Sequence, residues 1–155
     1  MKKKKGCDFC KLPKEYEKFI IKDDYKNWIV DLSIDQYFPG KCIVRLKRHL
    51  EDVFDLNKNE REELFFISKR IRNVIRKLFH PIHFNYKFLG NSCRHVHLHL
   101  IPRYRKQIKI GKFTFQDQGW KNGKLVEYLP TRKQENRIKK ETKIIIKNKI
   151  KENLK

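Results

Sequence analysis

Between Ser92 and Tyr104 the chain reads SCRHVHLHLIPRY, so that His95, His97 and His99 alternate with Val96, Leu98 and Leu100. Side chains two apart on a strand share a face, roughly 6–7 Å from one another. The histidines then line one face and the aliphatic residues the other, whereas a helix would give neither set a common side. The segment is predicted as a strand with a buried back and a chemical front. Pro102 cannot donate to a ladder and is read as its end.

The same periodicity places the neighbouring elements. NWIVDLS, 27–33, and KCIVRLKR, 41–48, read as strands, and Pro39-Gly40 between them is a turn signal, so the two are predicted to pair as a hairpin. Asn57-x-x-Glu60 has the form of a capping box, and Leu64, Ile67, Ile71, Val74 and Leu78 follow at helical spacing. That helix is expected to end near Phe79, before Pro81. HFNYKFLG, 83–90, is a further strand, with a turn at Gly90-Asn91. Strands, a helix and more strands give an α+β domain: an antiparallel sheet with a helix on one face. Beyond it, Gly111, Gly119 and Gly123 punctuate a loop carrying Phe113, Phe115 and Trp120. Residues 132–153 are predicted as a helix with Ile138, Ile145, Ile146 and Ile150 as its apolar stripe, packed on the domain or on a second subunit.

Composition adds a question about partners. The 155 residues carry a formal charge of +21, with Lys2 to Lys5 and the C-terminal segment especially basic. Such a field attracts nucleotides, polyphosphates or nucleic acid. Lysine outnumbers arginine 28 to 11 and alanine is absent, which also fits a compositional bias with a solvated surface. No apolar run is long enough to span a bilayer, and the opening MKKKKGCDFC has no apolar stretch of the kind a secretory signal needs. A cytoplasmic chain is expected, with its thiols reduced. Cys7-x-x-Cys10 therefore suggests metal or redox chemistry before a structural disulfide. Cys42 and Cys93 read as packing residues, and His80 and His83, flanking Pro81, as surface turn residues.

His95-Val96-His97-Leu98-His99-Leu100-Ile101 resembles the signature of the histidine triad (HIT) family, in which three histidines alternate with apolar residues. LGN at 89–91, IPRY at 101–104 and PGKCIVRLKRH at 39–49 are similar to the bacterial and archaeal branch of that family. The resemblance covers roughly residues 6–105. It implies a HIT-like sheet of about five strands, with residues 1–13 a basic arm carrying the Cys pair, 14–105 the domain, and 106–155 a C-terminal loop and basic helix.

The resemblance also implies nucleotidyl chemistry at the α-phosphate of a nucleotide, by hydrolysis or transfer. By position, His97 would attack phosphorus and form a covalent nucleotidyl-imidazole, splitting one hard displacement into two easier ones. His99 would hydrogen-bond or protonate the leaving atom. Asn91 and Ser92 lie where members of the family contact phosphates, and Asp31 is the candidate for holding the ribose hydroxyls. Zinc-bearing members use an N-terminal Cys-x-x-Cys, a His at the end of the second strand and the first triad His. Cys7, Cys10, His49 and His95 match these, and four protein ligands make a closed, structural zinc site. The implied substrates are adenine nucleotides, as a diadenosine polyphosphate or a nucleoside phosphoramidate, on a homodimer. Two other functions stay open: removal of adenylate from DNA or RNA ends, favoured by the basic surface, and a zinc-stabilised, non-catalytic nucleic-acid-binding module.

Overall fold

The computed structural model describes residues 3–36, 38–124 and 138–154. A short helical turn, α1 (Lys14–Glu17), leads into β1 (Ile20–Lys22), β2 (Trp28–Leu32) and β3 (Cys42–Leu46). The long helix α2 (Lys58–Phe79) follows, then β4 (His83–Phe88) and β5 (His97–Arg103). These strands form one five-stranded sheet in the order β1-β2-β3-β5-β4, with every neighbouring pair antiparallel. The α+β class with a helix on an antiparallel sheet is thus observed.

The sheet's two faces differ as the alternation requires. Trp28, Val30, Leu32, Val44, Leu46, Leu98 and Leu100 are buried on one side with Leu64, Ile67, Ile71 and Ile75 of α2. Each such aliphatic side chain contributes about 1.5–3 kcal/mol by leaving water. The helix starts where the capping box places it: the Asn57 side chain accepts from the Glu60 amide, and the Glu60 carboxylate accepts from the Asn57 amide. Arg48 grips the buried Glu60 carboxylate through Nε at 2.6 Å and a terminal nitrogen at 2.9 Å. Trp28 Nε1–H donates to the Glu60 carbonyl, so β2, β3 and the head of α2 meet at one residue. Gly40, at φ +87°, turns the chain into β3, and a side chain there would come within 3.3 Å of Phe79. Both the backbone and the packing therefore ask for glycine.

Several elements depart from the sequence reading. β1 was not foreseen as a separate strand, since three residues show no period. Pro102 lies inside β5, which runs on to Arg103. The β3 pairing ends at Cys42 opposite Leu100, so beyond that point β5 has only β4 beside it and tolerates a residue without an amide hydrogen. The glycine-punctuated loop contains a small hairpin, β6 (Ile108–Ile110) with β7 (Phe113–Phe115), turning at Gly111. It is tied down by Arg103, which is nearly fully buried and donates to Asp117 at 2.7 and 3.2 Å and to the Lys124 carbonyl at 2.7 Å.

The last helix, α3, covers Lys140–Asn153; residues 132–137 of the expected helix lie outside the described residues. It packs on the domain, against α2 and β1. Ile146 and Ile150 are buried one turn apart, and Ile138 is buried ahead of the helix. Ile145, expected on the stripe, is 42% exposed, because a one-residue step rotates a side chain about 100° from its neighbour.

Candidate functional site

The sheet face away from α2 carries the chemistry. On it Asp31 lies opposite Ile43, Arg45 opposite His97, and Ile43 opposite His99. One set of alternating positions on three adjacent strands is therefore polar where the other set is core.

His97 is buried, and its Nδ1 lies 2.6 Å from the carbonyl oxygen of His95. A carbonyl can only accept, so Nδ1 carries the proton and the lone pair sits on Nε2. Burial pushes the His97 pKa below the ordinary histidine value, with the backbone bond opposing. The ring is thus neutral near pH 7 and can act as a nucleophile or base. The half-buried ring of His99 stands 4.8 Å from it. The Phe9 ring packs on the other side of His97, at 4.5 Å.

His95 does not lie within the strand. It lies two residues before the start of β5, on backbone held by Val96 N–H to the Leu50 carbonyl at 2.7 Å and Leu46 N–H to the Val96 carbonyl at 3.1 Å. His95 Nε2–H donates to the Leu46 carbonyl at 2.8 Å, which leaves Nδ1 as the lone-pair nitrogen. That Nδ1 is 3.4 Å from Cys7 Sγ and 3.6 Å from Cys10 Sγ. His49 repeats the arrangement: Nε2–H donates to Glu51 at 3.2 Å, and Nδ1 faces Cys10 Sγ at 3.4 Å. Ligand atoms of Cys7, Cys10, His49 and His95 all lie within 4.8 Å of one another, and all four residues are buried.

This set could hold a metal ion, and its dimensions fit a tetrahedral one. Bonds of about 2.3 Å to sulfur and about 2.0–2.1 Å to nitrogen give sulfur–nitrogen edges of about 3.5 Å. Both histidines are also fixed in the tautomer a metal needs by an acceptor on the far nitrogen. Burial pushes His95 down to about 4, keeping the ring neutral. Lys4 and His49 hold the Glu51 carboxyl down to about 2, and Lys4 meets it at 2.6 Å. Part of the basic arm is therefore a structural contact.

Asp31 lines an open cleft of about 380 Å³ together with Phe9, Leu12, Tyr16, Ile43 and Ser92. Its Oδ2 accepts from Arg45 Nε at 2.6 Å, and Arg45 also donates to the Phe9 carbonyl at 3.1 Å. Burial raises the Asp31 pKa against the pull of Arg45. Oδ1 is buried without a hydrogen-bond partner among the described residues. Ser92 lines the cleft, whereas Asn91 is exposed on the loop and is not part of that wall. Cys42 is fully buried, as expected. Cys93 is not a core residue: it is half-exposed, lines the cleft and approaches Cys7. His80 and His83 are exposed. Phe9 and Arg45 went unread in the sequence. The only signal for Arg45 was a charge in phase with the histidine face in CIVRL.

A model of the HIT domain matches residues 13–106. The chain belongs to the HIT domain family. Its relatives include "Protein hit" of Bacillus subtilis, 31% identical over 113 residues that cover 65% of this chain and 73% of that protein. A bis(5'-adenosyl)-triphosphatase of Dictyostelium discoideum is 31% identical over 77 residues, 46% of this chain and 52% of that enzyme. Among solved structures, a HIT family member from Bacillus subtilis aligns with a TM-score of 0.58 at 30% identity, over 65% of this chain and 75% of that one. A hypothetical histidine triad nucleotide-binding protein from Sulfolobus tokodaii shares the fold over 96% of this chain and 91% of its own, with a TM-score of 0.66 at 17% identity. A HIT protein described as zinc-bound, from Mycobacterium smegmatis, shares it with a TM-score of 0.53 at 19% identity, over 85% and 83% of the two chains. Among the described residues of this HIT protein, no helix is long and apolar enough to cross a membrane.

Proposed function

We propose that this HIT protein is a nucleotidyl hydrolase acting at the α-phosphate of an adenine nucleotide. The observation that carries the reading is the His97 Nδ1–H bond to the His95 carbonyl, which leaves a neutral, lone-pair-bearing Nε2 on the polar sheet face. Nε2 attacks the α-phosphorus and a nucleotidyl-imidazole forms as the polyphosphate leaves. Water then attacks the same phosphorus, the bond from phosphorus to His97 Nε2 breaks, and AMP departs with its fourth P–O bond restored and the imidazole free again. His99, on the same face, donates to the leaving oxygen. A nucleoside phosphoramidate would follow the same first step with nitrogen as the leaving atom, and another acceptor in place of water would make the protein a transferase.

The cleft supplies the nucleoside site on this reading. Phe9, Leu12 and Tyr16 give the base apolar contact, and the unpartnered Asp31 Oδ1 accepts a ribose hydroxyl. Ser92 and Asn91 serve the phosphates from the loop before β5. Cys7, Cys10, His49 and His95 bind zinc as a closed structural site that ties residues 1–13 to the HIT domain, with 106–155 as the extension. The ion supplies cross-linking and no reacting position.

We take the working form to be a cytoplasmic homodimer. β4 is an edge strand, and Tyr86 and Phe88 on it, with Phe65 of α2, are 49%, 44% and 76% exposed, an apolar strip that a second copy would cover. AMP release from diadenosine triphosphate and from adenosine phosphoramidate, wild type beside His97→Ala, tests the proposal. Release that disappears in the variant supports it. No release from either substrate by folded, zinc-loaded protein would overturn it and favour adenylated nucleic-acid ends.

A further inference from the structure

Cys93 has no part in the chemistry above. It stands two residues before His95 on the loop that enters β5, half-exposed at the cleft wall. Its Sγ lies 3.6 Å from Cys7 Sγ, although the two residues are 86 apart in the chain. It is not one of the four residues whose ligand atoms lie within 4.8 Å of one another. Cys7 therefore faces two ways, toward His95 Nδ1 at 3.4 Å and toward Cys93 at 3.6 Å. Cys10 is engaged elsewhere, taking the Lys4 amide hydrogen at 3.4 Å and facing His49 and His95.

We propose that Cys7 and Cys93 form an oxidative modification site, at which a peroxide makes a disulfide and thereby releases the metal. This rests on reading the Cys7, Cys10, His49 and His95 set as a metal site. Cys93 is the thiol a solute reaches first, through the cleft. Its sulfur attacks one peroxide oxygen, the O–O bond breaks, and a sulfenic acid and one water form. Cys7 sulfur then attacks the sulfenic sulfur, the S–O bond breaks, and a second water leaves. Two electrons pass from the two sulfurs to the peroxide; the Cys93 thiol proton ends in water, and because metal-bound Cys7 is a thiolate, one proton from solvent completes the second water. The S–S bond of about 2.05 Å requires the sulfurs to close by about 1.5 Å, a shift the half-exposed loop can make. Three ligands remain, the closed site is opened, and zinc leaves. The loss also leaves the His95 ring held only through Nε2–H to the Leu46 carbonyl, and the carbonyl of His95 orients His97.

The test uses the full chain after its zinc content has been measured. Peroxide is added, zinc release is followed with a chromogenic chelator, and disulfides are mapped in peptides without reduction. The expected results are a Cys7–Cys93 peptide, release slowed about ten-fold or more in Cys93→Ser, and recovery with dithiothreitol and added zinc. A Cys7–Cys10 disulfide, or equal release rates in wild type and Cys93→Ser, would overturn the proposal. If the protein carries no zinc, the metal reading fails by itself. The peptide map then decides whether Cys7 and Cys93 pair, and their failure to do so would overturn the modification site too.

Discussion

Asp31 is where stability and ligand binding can be pulled apart. Its side chain and that of Arg45 are 11% and 6% exposed, and Oδ2 sits 2.6 Å from Nε. Asp31→Ala leaves the guanidinium buried with its one bond to the Phe9 carbonyl. Removing one partner of a buried pair costs about 3–5 kcal/mol, and the surviving bond places this case at the low end, about 3 kcal/mol. With a urea slope of about 1–3 kcal/mol per molar, the denaturation midpoint should fall by about 1–3 M. The double variant Asp31→Leu/Arg45→Met replaces the pair with apolar groups of similar size and should recover most of that loss. Binding should behave differently. A ribose hydroxyl donating to the Oδ1 carboxylate oxygen is worth about 1.5–3 kcal/mol. AMP affinity, measured by calorimetry, should therefore fall about 10- to 150-fold in the single and the double variant alike. If the stable double variant bound AMP within about two-fold of wild type, Asp31 would not touch the nucleoside. An unchanged urea midpoint in Asp31→Ala would refute the stability argument.

Three further outcomes follow from the same geometry. Chelating the metal, or replacing Cys10 with Ala, should lower the thermal midpoint: a loss of about 3 kcal/mol corresponds to about 6–12 °C for a chain this size, and an unchanged midpoint would rule out a structural metal. Because burial holds the neutral forms of His97 and His95, the metal-free native chain binds fewer protons than the unfolded chain below the ordinary histidine value near 6.5. Its stability should be complete above about 6.5 and decline as pH falls toward about 4, while the acid limb of kcat/KM should have an apparent pKa below about 6.5; a limb at 7 or above would contradict the assignment. Asp117→Ala strands Arg103 in a pair whose side chains are 4% and 1% exposed, and should cost about 3–5 kcal/mol in urea unfolding, with AMP release per folded molecule unchanged.

What could be read in the chain follows from where each signal lives. The period of two in His95–Leu100 and the 3.6 period from Leu64 to Phe79 are local, so strand, helix and capping box were legible. The grouping of Cys7, Cys10, His49 and His95 joins residues 88 apart, and only likeness to a family pointed to it. The Arg45–Asp31 pair depends on β2 and β3 registering Asp31 against Ile43, two pairs along from Arg45 opposite Ile29 and so on the same face. A register is a tertiary fact and leaves no periodic trace. Pro102 misled because a strand-ending residue matters only where a neighbour needs its amide, and β3 stops short of it. Cys93 misled because its half-burial comes from contact with the distant arm.

The stereochemical course at phosphorus tests the central claim most directly. Hydrolysis of a substrate chiral at the α-phosphorus, in isotopically labelled water, separates one displacement from two without requiring an intermediate to accumulate. Attack by His97 Nε2 followed by attack of water inverts the centre twice, so the account predicts AMP product with retained configuration. Inverted product would mean that water attacks the α-phosphorus directly and that His97 is not the nucleophile.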